Sequence, residues 1–184
     1  MITFVPILAT SAPVQERVRQ LRNQPEVRRH MYTDHDISPR EHQAWLASLD
    51  GNARQSVFVV LVEDTPRGVV SLNAINTLHQ CADWAFYLDS ELQGKGLGSQ
   101  VECWLLDHAF DDVGLAKLNC EVLASNPAVV RLHQKFGFTL EGVRRQNVSR
   151  NGERLDVMLL GITAEEWRAH RPQIVERLAR LRGE

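Results

Sequence analysis

The order of predicted elements along this chain indicates an α/β (α+β) fold, with a mixed, mostly antiparallel sheet of about seven strands and helices on both faces. Three observations predict this fold. Helical periodicity dominates the first 50 residues, β-branched runs bounded by turn residues follow, and one strand–helix–strand unit lies in the middle of the chain. That unit requires a parallel strand pair, whereas the short connections around it favour antiparallel pairs.

Helix-start signals define the helices of the first 50 residues. One helix covers about residues 12–22, and a second opens at Pro25 and runs to about residue 32. The third follows Ser38, which forms a capping box with Glu41.

Apolar and β-branched runs bounded by turn residues define the strands. The predicted strands cover residues 56–62, 69–75, 81–88, 117–123, 138–145 and 154–161. Asn151 and Gly152, between the last two strands, are a strong hairpin signal. Further helices are predicted over 97–110 and 127–135. A last helix follows a capping box from Thr163 to Glu166 and is interrupted by Pro172.

Length and composition predict a single domain spanning residues 1–184. Hydrophobic residues make up 43% of the chain and charged residues 24%, and the formal net charge is -2. This charge gives no basis for binding nucleic acid or an anionic membrane surface. Three cysteines without repeated spacing argue against a disulfide framework and a zinc site, so no metal is expected. We find neither a secretion signal nor an apolar run near the ~20 residues of a membrane span, and we expect a cytoplasmic protein.

A glycine-rich segment between the third strand and the next helix predicts an anion site. It reads Gln93, Gly94, Lys95, Gly96, Leu97, Gly98. Glycines let backbone N–H groups approach an anion, and a helix N-terminus adds positive partial charge, so a pyrophosphate is the natural ligand. The segment does not fit a Walker A loop, and its glycine spacing departs from the dinucleotide fingerprint. Taken alone, the pattern fits an ordinary glycine-rich turn equally well.

A second block downstream gives this turn a family context. The motif Gln93-x-x-Gly96-x-Gly98 resembles the acetyl-coenzyme A motif of the GNAT acetyltransferase superfamily. Residues 126–138, an Asn that opens a helix ending in Lys-Phe-Gly-Phe, resemble the superfamily's second block. The resemblance implies acetyl-CoA as cosubstrate, bound by a core over 81–145. The residues assigned to it are Leu88, Gln93, Gly94, Lys95, Gly96, Leu97, Gly98, Asn126 and Lys135. For Lys135, a solvated helix lysine is an equally good interpretation.

The first 50 residues resemble, more narrowly, the substrate side of one subgroup. Those enzymes N-acetylate a nucleotide-linked 4-amino-dideoxy sugar in the pseudaminic acid pathway. The matching residues are Arg22-Asn23, Val27-Arg28, Met31-Tyr32, Asp34-His35, Ile37-Ser38, Glu41-His42 and Trp45. The resemblance implies a helical substrate-side region over 1–50 and a UDP-linked amino sugar as acceptor. The C-terminal helical tail, 163–184, is peculiar to this sequence beyond about Trp167. We expect a monomer or homodimer.

Acetyl transfer to an amine needs a polarised thioester carbonyl and a proton for the leaving thiolate. In the superfamily a backbone N–H on the third strand polarises the carbonyl, and Leu88 best matches that position. The acid is commonly a Tyr on the helix after Asn126, and here His133 occupies its position. An imidazolium suits proton donation near neutral pH, although a helix-surface histidine without a role is the alternative. Tyr87 is retained as a second candidate acid.

Glu121 is a further candidate catalytic residue. It lies in the middle of a predicted strand, where a charge is costly unless it serves a purpose. The resemblance places it beside the acceptor as a base, a water organiser or a binding group, whereas the alternative is a solvated glutamate. A cysteine nucleophile is the competing mechanism, but each of the three cysteines is better interpreted as a small buried hydrophobe.

The acceptor side is assigned by the same resemblance. The predicted substrate-binding residues are Arg22, Met31, Tyr32, His42, Trp45, Tyr87 and Glu121. Arg22 and His42 would contact the nucleotide or its phosphates, since Arg presents a bidentate fork to phosphate. Met31, Tyr32 and Trp45 would form an apolar wall against the sugar or base. For each of these acceptor-side residues, ordinary packing or exposure is the alternative.

Three functions follow from these residues. The first is an amino-sugar N-acetyltransferase that works by direct transfer in a ternary complex. The second is an enzyme of the same fold that acetylates protein N-termini, as ribosomal-protein acetyltransferases do. The third is a non-catalytic module that binds acyl-CoA, which the histidine at the usual Tyr position supports.

Overall fold

Seven β-strands and six α-helices make up the described part, residues 1–182, of the computed structural model. The strands are β1 (Ile2–Pro6), β2 (Ser56–Val62), β3 (Thr65–Asn76), β4 (Cys81–Leu88), β5 (Lys117–Leu123), β6 (Thr139–Arg150) and β7 (Glu153–Thr163). The helices are α1 (Ala12–Arg22), α2 (Pro25–Arg28), α3 (Pro39–Leu49), α4 (Leu97–Asp107), α5 (Pro127–Lys135) and α6 (Ala164–Arg182). The last two residues of the predicted tail 163–184 lie outside the described residues.

The strands of the described residues form one sheet in the order β1-β2-β3-β4-β5-β7-β6. Antiparallel pairs join β1 to β2, β2 to β3, β5 to β7 and β6 to β7. Strands β4 and β5 are parallel, with Cys81 opposite Lys117 and Asp83 opposite Asn119. The predicted α/β class with a mixed, mostly antiparallel sheet is confirmed, and the parallel pair comes from the strand–helix–strand unit.

Two compact units divide the described chain. Unit 1 contains Met1–Ile75 and Trp84–Lys95, and unit 2 contains Asn76–Asp83 and the residues from Gly96 onward. The chain therefore passes between the units three times, at the end of β3, inside β4 and inside the glycine-rich turn. None of these boundaries coincides with a limit of the predicted sub-regions 1–50 and 81–145.

Unit 1 has its own apolar core, from which the first helices and strands take their orientation. Its buried members are Ile7, Val18, Leu46, Leu49, Val57, Val59 and Val69. Helix α3 begins with the predicted capping box. The Ser38 hydroxyl accepts a hydrogen bond from the Glu41 N–H (3.2 Å), and the Glu41 carboxylate accepts one from the Ser38 N–H (2.8 Å). This cap fixes where α3 starts and hence which of its residues turn inward.

Unit 2 contains strand β5, the long hairpin of β6 and β7, and helices α4, α5 and α6. Strands β6 and β7 are joined at Asn151 and Gly152, whose φ angles of 51° and 80° suit a type I′ turn, as the sequence predicts. Trp167 on α6 is 1% exposed, and its Nε1–H donates to Asp107 on α4 (2.9 Å). The other fully buried side chains of unit 2 include Leu105, Leu106, Leu118, Leu160 and Ile162.

Several elements differ from the sequence prediction. Strand β1 is missing from it, because five residues with irregular alternation and a terminal Pro6 give a weak strand pattern. The predicted interruption at Pro172 is wrong, since α6 continues through it. A proline removes one helical hydrogen bond, and buried Trp167 and Ile174 anchor the helix on both sides. Helix α4 ends at Asp107 and passes into a π-helical turn, so the predicted helix over 97–110 is not uniformly α-helical.

Candidate functional site

The glycine-rich turn ends at the first residue of α4. Gly94 and Gly96 have φ angles of 76° and 81°, and Gly96 is the N-cap of the helix. A Cβ at either glycine would meet no atom within 4 Å, so the backbone is open on that side. The first N–H groups of a helix lack partners inside the helix and carry positive partial charge. The turn therefore suits an anionic ligand, and its binding of a pyrophosphate stays a prediction.

Leu88 closes β4 with its N–H on the edge that faces away from β3. The N–H of the next residue, Asp89, donates to the carbonyl of Arg67 on β3 (2.7 Å). Because successive N–H groups of a strand point to opposite edges, the Leu88 N–H points the other way. The pairing of β4 with β5 runs from Cys81 to Asp83 and ends well before Leu88. The direction of this N–H suits a hydrogen bond to a ligand lying along β4.

Gly68 on β3 allows the two strands to approach closely at this point. A Cβ at Gly68 would lie 2.4 Å from the carbonyl oxygen of Tyr87 and 2.6 Å from Cδ2 of Leu88. Real side chains do not reach such distances, so any larger residue would displace the end of β4. Gly68 therefore helps to fix the position of the Leu88 N–H.

Asp89, directly after Leu88, is a buried carboxylate that sequence reasoning missed. Its side chain is 0% exposed and accepts hydrogen bonds from Gln24 (3.0 Å), Arg67 (3.0 Å) and Arg17 (3.5 Å). Burial alone would raise the pKa of Asp89, but the hydrogen bonds from Gln24, Arg67 and the Glu91 N–H, together with the charge of Arg17, outweigh it and hold the pKa below its usual value. Asp89 therefore stays ionised and ties the end of β4 to β3 and α1. An acidic residue at the end of an apolar strand is the signal that could have found it.

His133 lies on α5 and is buried, with 3% of its surface exposed, so the helix-surface alternative is wrong. Its Nδ1 lies 2.9 Å from Oε1 of Glu102 on α4, which is 0% exposed. Burial raises the pKa of Glu102, and the charge and hydrogen bond of His133 oppose that rise. The second carboxylate oxygen, Oε2, has no hydrogen-bond partner among the described residues. A role for His133 as the acid stays a prediction.

Asn126 and Lys135 lie at opposite ends of α5. Asn126 is the N-cap residue, half-buried, and its side chain makes no capping bond. Its N–H donates to the carbonyl of Leu123 (2.9 Å), which fixes the turn after β5. Lys135 is exposed and, with Ser99 of α4 and Arg177 of α6, lines a cavity of about 80 Å³. The contacts of Asn126 and Lys135 with acetyl-CoA stay predictions.

Glu121 on β5 belongs to a charged cluster on the sheet of unit 2. Its side chain is 31% exposed, and its Oε1 accepts a hydrogen bond from Arg144 on β6 (2.5 Å). Asp83 on β4 is close enough to interact. Burial raises the pKa of Asp83, the negative charge of Glu121 raises it further, and Arg144 opposes both. Asp83 and Arg144 are functional candidates that sequence reasoning did not single out, because only the strand pairing brings them beside Glu121.

Arg22 and His42, the two residues predicted to contact phosphate, already donate hydrogen bonds to backbone carbonyls. Arg22 donates through Nη2 to the carbonyl of Thr33 (2.8 Å) and to its hydroxyl (3.2 Å). His42 is 4% exposed, and its Nε2 donates to the carbonyl of Gln15 (2.9 Å). Burial lowers the pKa of His42, which favours the neutral ring. His42 is therefore packed in the interior, which was the alternative to a binding role, and its contact with the nucleotide or its phosphates stays a prediction.

The predicted apolar wall has members with different environments. Trp45 is half-buried, packs on the core of unit 1, and has its ring centroid 5.4 Å from that of His42. Met31 is half-buried, whereas Tyr32 is 51% exposed. Tyr32 is thus the member that a ligand in solution reaches most easily.

Tyr87 is constrained by the fold. Its hydroxyl donates to the carbonyl of Val18 (3.5 Å), and burial raises the pKa of Tyr87 well above its usual value. A phenol with so high a pKa is a weak proton donor. This environment favours a packing role for Tyr87 over the second-acid role.

The three cysteines differ in how far they are buried. Cys120 is buried, whereas Cys81 and Cys103 are half-buried. The interpretation of all three cysteines as buried hydrophobes is therefore wrong for Cys81 and Cys103. Within residues 1–182, no group of three or more His, Cys, Asp or Glu side chains is placed to hold a metal ion. No helix in the same range has the length and apolar character needed to cross a bilayer.

Residues 8–139 match the sequence profile of a family described as Acetyltransferase (GNAT) domain. Spermidine N(1)-acetyltransferase of Escherichia coli (strain K12) is 29% identical over 112 residues, which are 61% of this chain and 60% of that protein. Ribosomal-protein-serine acetyltransferase of the same strain is 31% identical over 90 residues, 49% of this chain and 50% of that protein. The chain thus spans less than two thirds of the length of either relative.

A solved structure shares the fold. Spermidine N-acetyltransferase from Vibrio cholerae, crystallised in complex with CoA and spermine, superposes with a TM-score of 0.83. The match covers 90% of this chain and 97% of that chain at 23% sequence identity. At this identity the likeness extends to the fold and not to the substrate.

Proposed function

Because this chain belongs to the acetyltransferase (GNAT) domain family, we propose that it is an acetyl-CoA-dependent N-acetyltransferase. The observation that carries the proposal is the turn at Gly94 and Gly96, where an open backbone meets the N-terminus of α4. This turn falls inside the family match, and a helix N-terminus with open glycines suits a pyrophosphate.

Backbone groups do most of the proposed acetyl-CoA binding. The N–H groups of Gly94, Gly96, Leu97 and Gly98 bind the pyrophosphate, because those of Gln93 and Lys95 already donate to the carbonyls of Ser90 and Leu92. Asn126 contacts the pantetheine arm and Lys135 meets a phosphate. Acetyl-CoA supplies an acetyl group activated as a thioester. The Leu88 N–H, directed away from β3, polarises the thioester carbonyl.

The proposed reaction is a direct transfer in a ternary complex. The neutral amine attacks the carbonyl carbon, so that a C–N bond forms while the C–S bond breaks and its electron pair leaves with sulfur. The Leu88 N–H stabilises the developing oxyanion. Nε2 of His133 donates a proton to the thiolate. Glu121 orients the acceptor or accepts the proton that the amine loses.

For the acceptor we propose a UDP-linked 4-amino-dideoxy sugar. Support comes from the residue pattern over 22–45 and from the exposed ring of Tyr32, which offers a stacking surface for a base or sugar. Arg22 is half-buried and would have to share its guanidinium between Thr33 and a phosphate. Arg presents five donors, so both contacts are compatible.

Two other acceptors have specific support. A polyamine is favoured by the 29% identity to spermidine N(1)-acetyltransferase and by the acidic pair of Asp83 and Glu121, since carboxylates attract ammonium groups. A protein N-terminus is favoured by the 31% identity to ribosomal-protein-serine acetyltransferase. All three acceptors are amines, so the choice among them leaves the proposed chemistry unchanged.

A competition assay separates these acceptors. Wild-type protein is incubated with acetyl-CoA and an equimolar mixture of a UDP-linked 4-amino-dideoxy sugar, spermidine and a peptide with an N-terminal serine, and the products are identified by mass spectrometry. We expect the amino sugar to be acetylated fastest. Preferential acetylation of spermidine or the peptide would refute the sugar acceptor but keep the enzyme. Binding of CoA without acetylation of any amine would favour the non-catalytic acyl-CoA module.

A further inference from the structure

Two buried titratable side chains meet between α4 and α5 in unit 2. Glu102 lies on the buried face of α4, which is otherwise apolar. The other buried residues of this helix are Leu97, Val101, Leu105 and Leu106. His133 is the buried residue of α5, and its Nδ1 lies 2.9 Å from Oε1 of Glu102. Each helix thus directs a titratable group into the interior, and the two groups bind each other.

Stability alone gives no reason for such a pair. Burying a carboxylate costs several kcal/mol, and one hydrogen bond to an imidazole offsets only part of this cost. In other proteins, replacement of a buried ion pair by apolar residues of similar volume often leaves stability unchanged or raises it. Oε2 of Glu102, buried without a hydrogen-bond partner among the described residues, adds to the cost. A role in placing a proton explains the pair better than a role in packing.

We propose that Glu102 is a positioning residue, which binds Nδ1 of His133 and so makes Nε2 the nitrogen that donates a proton to the leaving thiolate. This inference rests on the proposed function. Glu102 touches neither substrate nor reacting atoms in this scheme. It sets the orientation of the ring and the tautomer that remains after the proton has left.

The proton balance of this step closes. Before transfer the pair carries two acidic hydrogens, either as carboxylate and imidazolium or as carboxylic acid and neutral imidazole. In both forms Nε2 bears a hydrogen. When that hydrogen moves to sulfur, an S–H bond forms, and the pair becomes a carboxylate that accepts from Nδ1–H of a neutral ring. The acetylated amine releases a proton to Glu121 or directly to solvent, and the pair takes one up from solvent.

The surroundings favour retention of the proton by the pair. Burial raises the pKa of Glu102, which disfavours a bare carboxylate. Other charged groups on the two helices are engaged or exposed. Asp107 of α4 binds Arg171 of α6 (2.7 Å), and Arg131 and Lys135 of α5 are exposed. The charged side chains of β5, Lys117 and Glu121, are bonded to Glu141 and Arg144 of β6.

The test follows the proton on His133 by ¹⁵N NMR in wild type and in Glu102→Leu, with the signal assigned from His133→Asn. At alkaline pH we expect the neutral ring of wild type to carry hydrogen on Nδ1, because the carboxylate accepts it. In Glu102→Leu the hydrogen is expected on Nε2. The same tautomer in both proteins would overturn the inference.

A kinetic readout adds a result that a structural role would not give. An acid must be protonated, so kcat falls on the alkaline side as the pair loses its proton. Glu102→Gln removes the carboxyl group with which His133 shares the proton, so this limb is expected to shift toward lower pH by about one unit and KM for acetyl-CoA to change by less than about twofold. The control is Trp167→Phe, which perturbs the packing of α4 on α6 and is expected to leave the limb in place.

The two readouts separate the inference from the function on which it rests. If wild type acetylates an amine but Glu102→Gln keeps both its alkaline limb and its kcat, the positioning role is refuted and the enzyme stands. If wild type acetylates no amine, the proposed function fails, and the role in catalysis fails with it.

Discussion

Replacing Gly96 by alanine separates the conformational role of the turn from its proposed ligand role. Gly96 has a φ of 81°, where a residue with a Cβ costs about 1–2 kcal/mol. The added Cβ would meet no atom within 4 Å, so no steric overlap adds to this cost. We therefore expect Gly96→Ala to lower the free energy of unfolding by about 1 kcal/mol in urea titrations. For a chain of this size, the corresponding decrease in Tm is about 2–4 °C.

Gly114→Ala is the matched control for this variant. Gly114 has a φ of 76°, and a Cβ added there would also meet no atom within 4 Å. It lies in unit 2, just after the π-helical turn that follows α4. Both variants are expected to lose similar stability. Only Gly96→Ala places a methyl group beside the N–H groups proposed to bind pyrophosphate.

Calorimetric titration with CoA then measures the ligand contribution. Loss of one hydrogen bond to a charged group costs about 1.5–3 kcal/mol, so Kd for CoA is expected to rise at least about tenfold in Gly96→Ala. In Gly114→Ala it is expected to stay at the wild-type value. Equal Kd values in the two variants would refute the assignment of the turn as the pyrophosphate site.

Three further predictions concern the framework of the site. Asp89→Asn removes the charge that faces Arg67 and should lower the free energy of unfolding by about 2 kcal/mol at neutral pH. Because folding lowers the pKa of Asp89, the stabilisation by its carboxylate is complete above the unfolded pKa and is lost as pH falls through the folded value. The difference in free energy of unfolding between wild type and Asp89→Asn, measured in urea titrations, should therefore narrow below about pH 4. Gly68→Ala should lower the free energy of unfolding by about 1–3 kcal/mol and lower turnover, since its Cβ would lie 2.4 Å from a carbonyl oxygen. Gly142→Ala is the control, because its Cβ would have its nearest atom at 3.8 Å, and it should leave stability and turnover nearly unchanged. Trp167→Ala should cost about 3–5 kcal/mol, because the side chain is 1% exposed, and a smaller loss by urea unfolding would show that α6 contributes little to unit 2.

Local signals in the sequence predicted the local structure well. The capping boxes at Ser38 and Thr163 and the turn at Asn151 and Gly152 form as predicted, because each depends on residues within a few positions of one another. The continuity of α6 through Pro172 was not predictable in the same way. It depends on burial of α6 against other elements, which no local pattern reports.

The candidate site shows the same division. The turn at Gly96 was identifiable because its glycines and helix start are contiguous in sequence. The partners Glu102 and His133 are 31 positions apart, and only the packing of α4 on α5 joins them. A glutamate among apolar helix positions was a usable signal for this pair. The predicted state of monomer or homodimer stays a prediction.

The most direct test of the central claim is a stoichiometric transfer assay with isotopically labelled acetyl-CoA. Wild-type protein is given the amine that is acetylated fastest in the competition assay, and released CoA thiol and labelled product are measured together over time. We predict one labelled N-acetyl group for each thiol released, with Gly96→Ala slower at low acetyl-CoA and recovering at high acetyl-CoA. Thiol release without any labelled amide would contradict the claim that this protein is an N-acetyltransferase.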